Sequence, residues 1–545
     1  MPTKGALGKA IETGVGIMTG QMKAPGEIRT ITKEEIEIAE NLHKKRFSAK
    51  GQPGTQALTE NIKRMKAMRS SRVVDDEADA ALQRAELHLL RTLNSFTPPC
   101  AIPVELLSRV FELGQIMELE ELADSSAASE NIPSVCQPFE VLVTHISSHF
   151  RNVALATCLL WSRITVTPGA RDDGQIESYL ERSSECGLGV RMDLRGVDTP
   201  DALTMTKTAV VFHHSHRYRR LVIDAVRESV SQPVIRRLCR IVTPILEHLS
   251  LSVDEVEASD AGDDKVLQGG APVLAFVRLR GVALPLFLPP LENVTTLHLD
   301  QTAPLPILYS TFHDMLTTPS FLTNLSIYGD IIAGHTLWPG IAHPVSLPHL
   351  RGLRICGVGG TIYSGLLLGI NAPALESLVL KDMKERDLDH FWAASLHRIC
   401  FPRLRNLSVL DCDVSRDVFA DLFRGFPSIS AFTTAAYHMT TPTVLLLLAE
   451  PQQEGSGIPW PKLHTLTLLV NLHDAEHVVV DVARQRKASG YPLKKLRLGT
   501  TEPLASLPQY AWLKDNVALE RFVDFDGWPR ANADFDADPD DILFR

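Results

Sequence analysis

A six-residue pattern, apolar-x-x-apolar-x-apolar, recurs along most of this chain, and no other feature limits its fold so strongly. It appears as Tyr218–Leu221–Ile223, Leu246–Leu249–Leu251, Leu274–Val277–Leu279, Val294–Leu297–Leu299, Leu322–Leu325–Ile327 and Leu350–Leu353–Ile355. It continues as Leu375–Leu378–Leu380, Leu404–Leu407–Val409, Ile429–Phe432–Thr434, Leu463–Leu466–Leu468, Leu493–Leu496–Leu498 and Leu519–Phe522–Asp524. Successive copies are about 27 residues apart on average, and Val190–Met192–Leu194 fits the same step ahead of them. The second and third apolar positions are two residues apart and share one face of a strand. Asp417–Arg424 and Thr443–Leu448, between copies, read as helices. One strand with one helix cannot bury its apolar side alone, so the copies must stack.

Several copies are introduced alike, by Ala372-Pro373-Ala374-Leu375, Phe401-Pro402-Arg403-Leu404, Phe426-Pro427-Ser428-Ile429 and Trp460-Pro461-Lys462-Leu463. The proline is expected to fix an extended approach and to forbid helix continuation. One strand and one helix per 20 to 29 residues is the pattern of leucine-rich repeats. The fold class expected is therefore α/β: a solenoid over residues 188–528, with parallel strands on the concave side and helices on the convex side.

Composition narrows the class further. Among 545 residues, 44% are hydrophobic and 22% charged, ordinary values for a globular protein. No apolar run approaches the roughly 18 residues of a membrane helix. The net charge of −10 disfavours a nucleic-acid binder. Eight cysteines without a Cys-x-x-Cys pair read as reduced thiols of an intracellular protein, cytoplasmic and/or nuclear. Residues 1–74 hold 14 Lys/Arg against 7 Asp/Glu and are expected to be a basic, mostly disordered extension, with a short helical piece at Lys33–Arg46. Residues 75–97 read as a helix led by Asp75, Asp76, Glu77 and Asp79, and 529–545 as an acidic C-terminal tail.

Ahead of the repeats, residues 98–165 read as a small all-α domain. Leu106, Leu107, Val110 and Phe111 form one apolar stripe, and Leu142, Ile146, Phe150, Val153 and Ala154 a second. Ile102-Pro103-Val104-Glu105-Leu106-Leu107-Ser108-Arg109-Val110-Phe111 resembles the opening helix of the F-box family, Leu-Pro-x-Glu-Leu-Leu-x-x-Ile-Phe. His145–Ala154 resembles its later Val-Cys-Arg-x-Trp-Arg-x-Val-Ala stretch, with Phe150 at the tryptophan position. Leu160-Trp161-Ser162-Arg163-Ile164 is similar to its closing Leu-Trp-x-x-Ile. Gly114–Val141 separates the two halves by more than the compact family core, and Ser147-Ser148 stands for the usual Cys-Arg.

An F-box-like domain followed by leucine-rich repeats is the order seen in the families expanded in mushroom-forming basidiomycete fungi. The resemblance implies the substrate-recognition subunit of a cullin–RING ubiquitin ligase. Such a subunit binds a Skp-type adaptor, which would place Pro103, Leu106, Leu107, Val110, Phe111, Ile146, Phe150 and Trp161 at or beside the adaptor. These side chains read as more apolar surface than two short helices can hide. The alternative is a repeat scaffold with no ubiquitin role, its helices capping the array.

No phosphate-cradling loop, Gly-x-Ser-x-Gly or His-Glu-x-x-His motif is present, so no enzyme, cofactor or metal is expected. His213-His214-x-His216 reads as a surface cluster. Asp534-x-Asp536-x-Asp538-x-Asp540-Asp541 lacks the glycine of a calcium loop. Function then falls to the strand face opposite the leucines, with Arg278, Arg280, His298, Asp300, Tyr328, Arg354, Lys381 and Arg497 as candidate target-binding residues. Ser326, Cys356, Val379 and Thr467 share that face by alternation. Its mix of Arg, Tyr and small polar residues suits a protein partner.

Overall fold

The computed structural model describes, besides Lys63, residues 102–522 apart from 127–136, 169–173, 196–201, 256–264, 282–287, 301–306, 333–343, 450–457, 470–475, 500–509 and short breaks at 330, 358–359, 396–399, 413 and 436–439. The expected basic extension 1–74, helix 75–97 and acidic tail 529–545 lie outside the described residues. The chain divides into two compact units. One holds the residues up to Ile164 with Asp172–Gly189; the other holds Thr165–Arg171 and Val190–Arg530.

The helical unit contains α1 (Val104–Ser126), α2 (Phe139–Thr144), α3 (Ser148–Ala156), a 3-10 turn (Cys158–Trp161) and α4 (Gln175–Arg182). Helix α1 runs far past Phe111, into the stretch read as a separating insertion. The second stripe is not one helix. His145 closes α2, and Ser147 opens α3 by accepting a hydrogen bond from the Phe150 N–H at 3.1 Å. Gly114 lets α2 approach closely, since a Cβ there would run into the Phe139 ring.

Leu107, Phe111, Phe139, Val143, Phe150, Val153, Leu160 and Trp161 are all buried, with Phe111 and Phe150 edge to face at 5.2 Å. Trp161 donates its indole N–H to the Ala154 carbonyl at 2.8 Å, and Arg182 lies over its ring at 4.5 Å. The polar groups inside are satisfied: Gln115 donates to Glu140 and to the Leu160 carbonyl, and Tyr179 donates to Glu140 at 2.7 Å. Cys158 and Cys186 are joined in a disulfide, contrary to the expectation of reduced thiols throughout.

Among the described residues fourteen strands form one sheet in the order β1 (Arg163–Val166), β2 (Leu188–Asp193), β3 (Tyr218–Arg227), β4 (His248–Glu255), β5 (Phe276–Arg280), β6 (Thr296–Asp300), β7 (Asn324–Tyr328), β9 (Gly352–Cys356), β11 (Ser377–Lys381), β12 (Asn406–Leu410), β13 (Ala431–Ala435), β14 (Thr465–Leu468), β15 (Lys495–Leu498) and β16 (Ala518–Arg521). β8 (Val345–Ser346) and β10 (Ile370–Asn371) form a separate pair. From β3 to β16 every pairing is parallel, as in a solenoid. Helices in the connections include α5 (Ala202–Phe212), α6 (Glu228–Leu238), α7 (Tyr309–Thr317), α8 (Thr361–Gly369), α9 (Asp389–Ser395), α10 (Arg416–Gly425), α11 (Thr440–Ala449), α12 (Glu476–Ala488) and α13 (Tyr510–Asn516).

The register puts the repeated leucines in two columns. Leu249, Val277, Leu297, Leu325, Leu353, Leu378, Leu407, Phe432, Leu466 and Leu496 occupy successive rungs of the first, each at most 1% exposed. The last copy departs from the sequence pattern. Leu519, not Phe522, pairs with Leu496, a slip of three residues that carries Phe522 to the opposite face.

The proline segments also differ from expectation. Ala372–Leu375, Phe401–Leu404 and Trp460–Leu463 each close an i to i+3 hydrogen bond, so proline sits second in a β-turn instead of in an extended approach. At strand ends the chain turns through positive φ, at Gly281 (60°) and Gly329 (83°) but also at Asp382 (56°) and Asp411 (51°). In each case the N–H of that residue bonds to the next strand, which holds the aspartates in a region L-residues seldom adopt.

Arg486 of α12 ties the later repeats together. It is fully buried and donates to the carbonyls of Leu448, Pro459 and Trp460 at 2.9–3.0 Å, which joins the end of α11 to the turn before β14. Burial pulls its pKa down to about 10. Arg486→Met would leave three buried carbonyls without donors, so the protein is expected to lose about 3 kcal/mol or more of stability in urea unfolding. A loss below about 1 kcal/mol would contradict this role.

Candidate functional site

Because the leucines occupy alternate strand positions, the remaining positions form three rungs on the opposite face of the sheet. The middle rung reads Ser250, Arg278, His298, Ser326, Arg354, Val379, Ser408, Thr433, Thr467 and Arg497 from β4 to β15. The rung nearer the strand ends reads Ser252, Arg280, Asp300, Tyr328, Cys356, Lys381, Leu410 and Ala435. All eight candidate target-binding residues therefore lie on one face of the sheet.

Their exposure differs from expectation. Arg278, His298, Asp300 and Arg354 are at most 2% exposed, whereas Arg280, Tyr328, Lys381 and Arg497 are half-buried. The first four are interior groups, not members of an open surface. Sequence alternation identifies the face a residue points to but not what lies over that face.

The face has two chemically distinct halves. On β3–β9 it is charged and aromatic. Arg278 pairs with Asp300 at 3.1 Å, with side chains 3% and 0% exposed. His248 stacks on Phe276 at 4.0 Å with nearly parallel rings, and Phe276 meets His298 at 4.8 Å. Burial, and then Arg278 and Arg354, hold the His298 imidazole well below the ordinary value of 6.5. Burial, and then Arg220, His298 and Arg278, do the same at His248. Two neutral rings are thus embedded among guanidinium groups.

On β9–β13 the face is apolar, with Cys356, Val379, Leu410 and Ala435 buried together and Tyr328, Leu469 and Phe522 packed against them. Tyr363 fixes its margin, accepting from the Gly357 N–H at 2.8 Å and donating to the Lys381 carbonyl, while Lys381 pairs with Asp411 at 3.1 Å. Cys356 donates to Asp382 at 3.3 Å; burial first, and Asp382 second, raise its pKa far above the ordinary thiol value. Burial pushes Cys412 up to about 12. Both sulfurs stay protonated at neutral pH and behave as core groups.

Sequence reasoning missed His248, Phe276, Arg220 and Phe522 as members of this face. The first three carry the same alternation signal as Arg278; Phe522 was hidden by the slipped register of β16. His213, His214 and His216 are neighbours, with ring centroids 5.6 and 6.3 Å apart. Among the described residues no three His, Cys, Asp or Glu side chains come together as a metal site. Nor is any described helix long and apolar enough to cross a membrane.

In the helical unit the residues expected at an adaptor divide in the same way. Leu107, Phe111, Phe150 and Trp161 are interior and are not excess apolar surface. Pro103, Leu106 and Val110 are half-buried and Ile146 is exposed. Outside the motif positions, Val104, Leu155 and Leu159 are 39–49% exposed. Ser108 accepts from the Thr157 hydroxyl at 2.9 Å, which brings the first turn of α1 beside the chain between Leu155 and Leu159.

The buried imidazoles make the charged half sensitive to acid. Their folded pKa values lie below the unfolded value, so protonation favours the unfolded chain and stability falls as pH drops below about 6.5. Each histidine is expected to contribute a slope of up to about 1.4 kcal/mol per pH unit between pH 6 and 5. Unfolding midpoints measured across that range should flatten in H248Q and H298Q; an unchanged slope in both would refute the assignment. No family model matches this chain, and neither does any curated protein.

Proposed function

We propose that the chain is the F-box-like substrate-recognition subunit of a cullin–RING ubiquitin ligase. The helical unit takes a Skp-type adaptor, and the leucine-rich-repeat solenoid takes a target protein on its concave strand face, with the helices on the convex side. The observation that carries this reading is the pairing, in one chain, of an F-box-like helical unit with a long register-locked parallel array. Supporting it are the exposed side chains Val104, Ile146, Leu155 and Leu159 on that unit. Exposed apolar groups of this kind mark partner surfaces when they cluster. The adaptor contact is drawn here from these residues with Pro103, Leu106 and Val110, while Leu107, Phe111, Phe150 and Trp161 shape the unit from within.

A second reading, a repeat scaffold whose helices merely cap the array, is favoured by that same burial of Leu107, Phe111, Phe150 and Trp161. Capture by immobilised adaptor separates the two. The ligase reading expects wild-type protein to be retained and Leu155→Asp with Leu159→Asp to lose at least about 2 kcal/mol of binding, some thirtyfold, with its melting temperature unchanged. Phe111→Ala is expected to cost about 3–5 kcal/mol of stability in the helical unit. Wild-type protein that the adaptor does not retain would establish the capping reading.

A further inference from the structure

The residue just before each strand lends its carbonyl to the N–H of the residue before the next strand. Glu376 donates to Arg351, Arg405 to Glu376, Ser430 to Arg405, His464 to Ser430 and Lys494 to His464, all at 2.8–3.0 Å. The strand starts of β9–β15 are thereby held in one line along this edge of the sheet, about 4.8 Å apart. The tight turns ahead of the strands make a second line beside it. Thr243–Leu246, Ala271–Leu274, Leu347–Leu350, Phe401–Leu404 and Trp460–Leu463 close at 2.9–3.3 Å, with Ile245, Val273, His349, Arg403 and Lys462 third in the turn.

The two lines divide by chemistry. Ahead of β4, β5 and β7, Ile245, Val273 and Phe321 are 42%, 47% and 60% exposed, and the Phe321 ring lies 5.5 Å from that of His349. Ahead of β9–β15 the exposed groups are the cations Arg351, Arg403, Arg405, Lys462 and Lys494. Among the described residues of this stretch Glu376 is the one carboxylate in either line. Lys495 and Arg497, which do form ion pairs, hold Glu520 from within β15. Five cations against one carboxylate run counter to a chain whose net charge is −10.

Exposed cations in a line repel one another, and an anionic partner relieves that repulsion. The apolar stretch selects among anions. A nucleic-acid strand would meet the cations but leave Ile245, Val273 and Phe321 uncovered, whereas a polypeptide carries both kinds of group. Spacing gives its form. β9, β12 and β14 are two strands apart in turn, so their cations stand about 10 Å apart, three residues of extended chain at roughly 3.3 Å each. From β4 to β15 is nine steps in the sheet order, about 43 Å, which about thirteen extended residues would span.

We propose that this strand-start edge is a docking surface for an acidic, extended segment of another protein. Its apolar end lies on Ile245, Val273 and Phe321, and its carboxylates meet Arg351, Arg403, Arg405, Lys462 and Lys494. The proposal goes beyond the ligase reading and does not rest on it, since every one of these residues belongs to the repeat array.

Fluorescence anisotropy with the full-length protein and a labelled peptide of that length tests this. The peptide carries leucines at one end and glutamate at every third position of the rest, and is made in both chain directions. Wild-type protein should bind one direction, and more weakly as salt is raised. Arg403→Glu with Arg405→Glu, and separately Phe321→Ser, should each weaken binding at least about tenfold at an unchanged melting temperature. Arg195→Gln, past the other end of β2, should bind like wild type. Lys462→Glu with Lys494→Glu should repeat the loss, and decides the matter if the arginine pair does not fold. Wild-type protein that binds neither direction, or folded charge reversals that bind like wild type, would overturn the proposal. A single-stranded oligonucleotide of equal charge that binds more tightly, and is lost in the same variants, would make the edge a nucleic-acid surface and overturn it too. So would a dimer in sedimentation that the same reversals dissociate, which would assign the edge to a second copy.

Discussion

Register is the constraint on which this molecule depends. A parallel ladder fixes which residue sits beside which, and with a side-chain period of two a slip of one residue would exchange the leucine face for the charged one. From β3 to β15 the repeat keeps Leu249 through Leu496 in one line. Proline turns start several of the rungs at a set height, and positive-φ residues after four of the strands pass a hydrogen bond to the next rung. The opposite face inherits this order. Arg278, His298 and Arg354 are in line because the leucines beside them are.

That inheritance carries a cost. A guanidinium–carboxylate pair with both side chains almost wholly dry, as Arg278 and Asp300 are, seldom adds net stability over an apolar pair of the same size. The stacked His248 and Phe276 and the neighbouring His298 occupy space that aliphatic residues would fill at lower cost. The leucine columns supply the stability of the array, and the polar rungs give the opposite face its chemical character. The half-buried Arg280, Tyr328 and Lys381 mark where that character reaches solvent.

Much of the sheet was legible in the sequence because it is local. Each strand announces itself through the spacing of three apolar residues, and eleven of the twelve copies fall in the register they suggest. The twelfth failed where two frames competed: Leu519 and Phe522 both satisfy the pattern, and pairing with Leu496 selects Leu519. Ser147 breaking the second helical stripe is a capping preference hidden beneath a helical period that runs through it. What was not legible is non-local. Cys158 and Cys186 are 28 residues apart with nothing in the sequence to link them, and strand alternation places Arg278 and Arg354 on their face without revealing that they are buried. The apolar stripes of residues 102–164 were legible, but their apolarity reads equally as interior and as interface, and only packing distinguishes Trp161 from Leu159.

The end of the array has a different consequence. In the second leucine column, Leu468 is followed by Leu498 and then by Arg521, which stands where another aliphatic side chain would continue the series. Alongside it, Glu520 is held by Lys495 and Arg497 at 2.9 and 3.1 Å. A second molecule adding its own strand to β16 would have to bury that arginine against a leucine and break into a satisfied charge cluster. A parallel array has no intrinsic length, and an open edge invites polymerisation. Among the described residues, the last rung therefore makes the addition of a further aliphatic strand to β16 unfavourable.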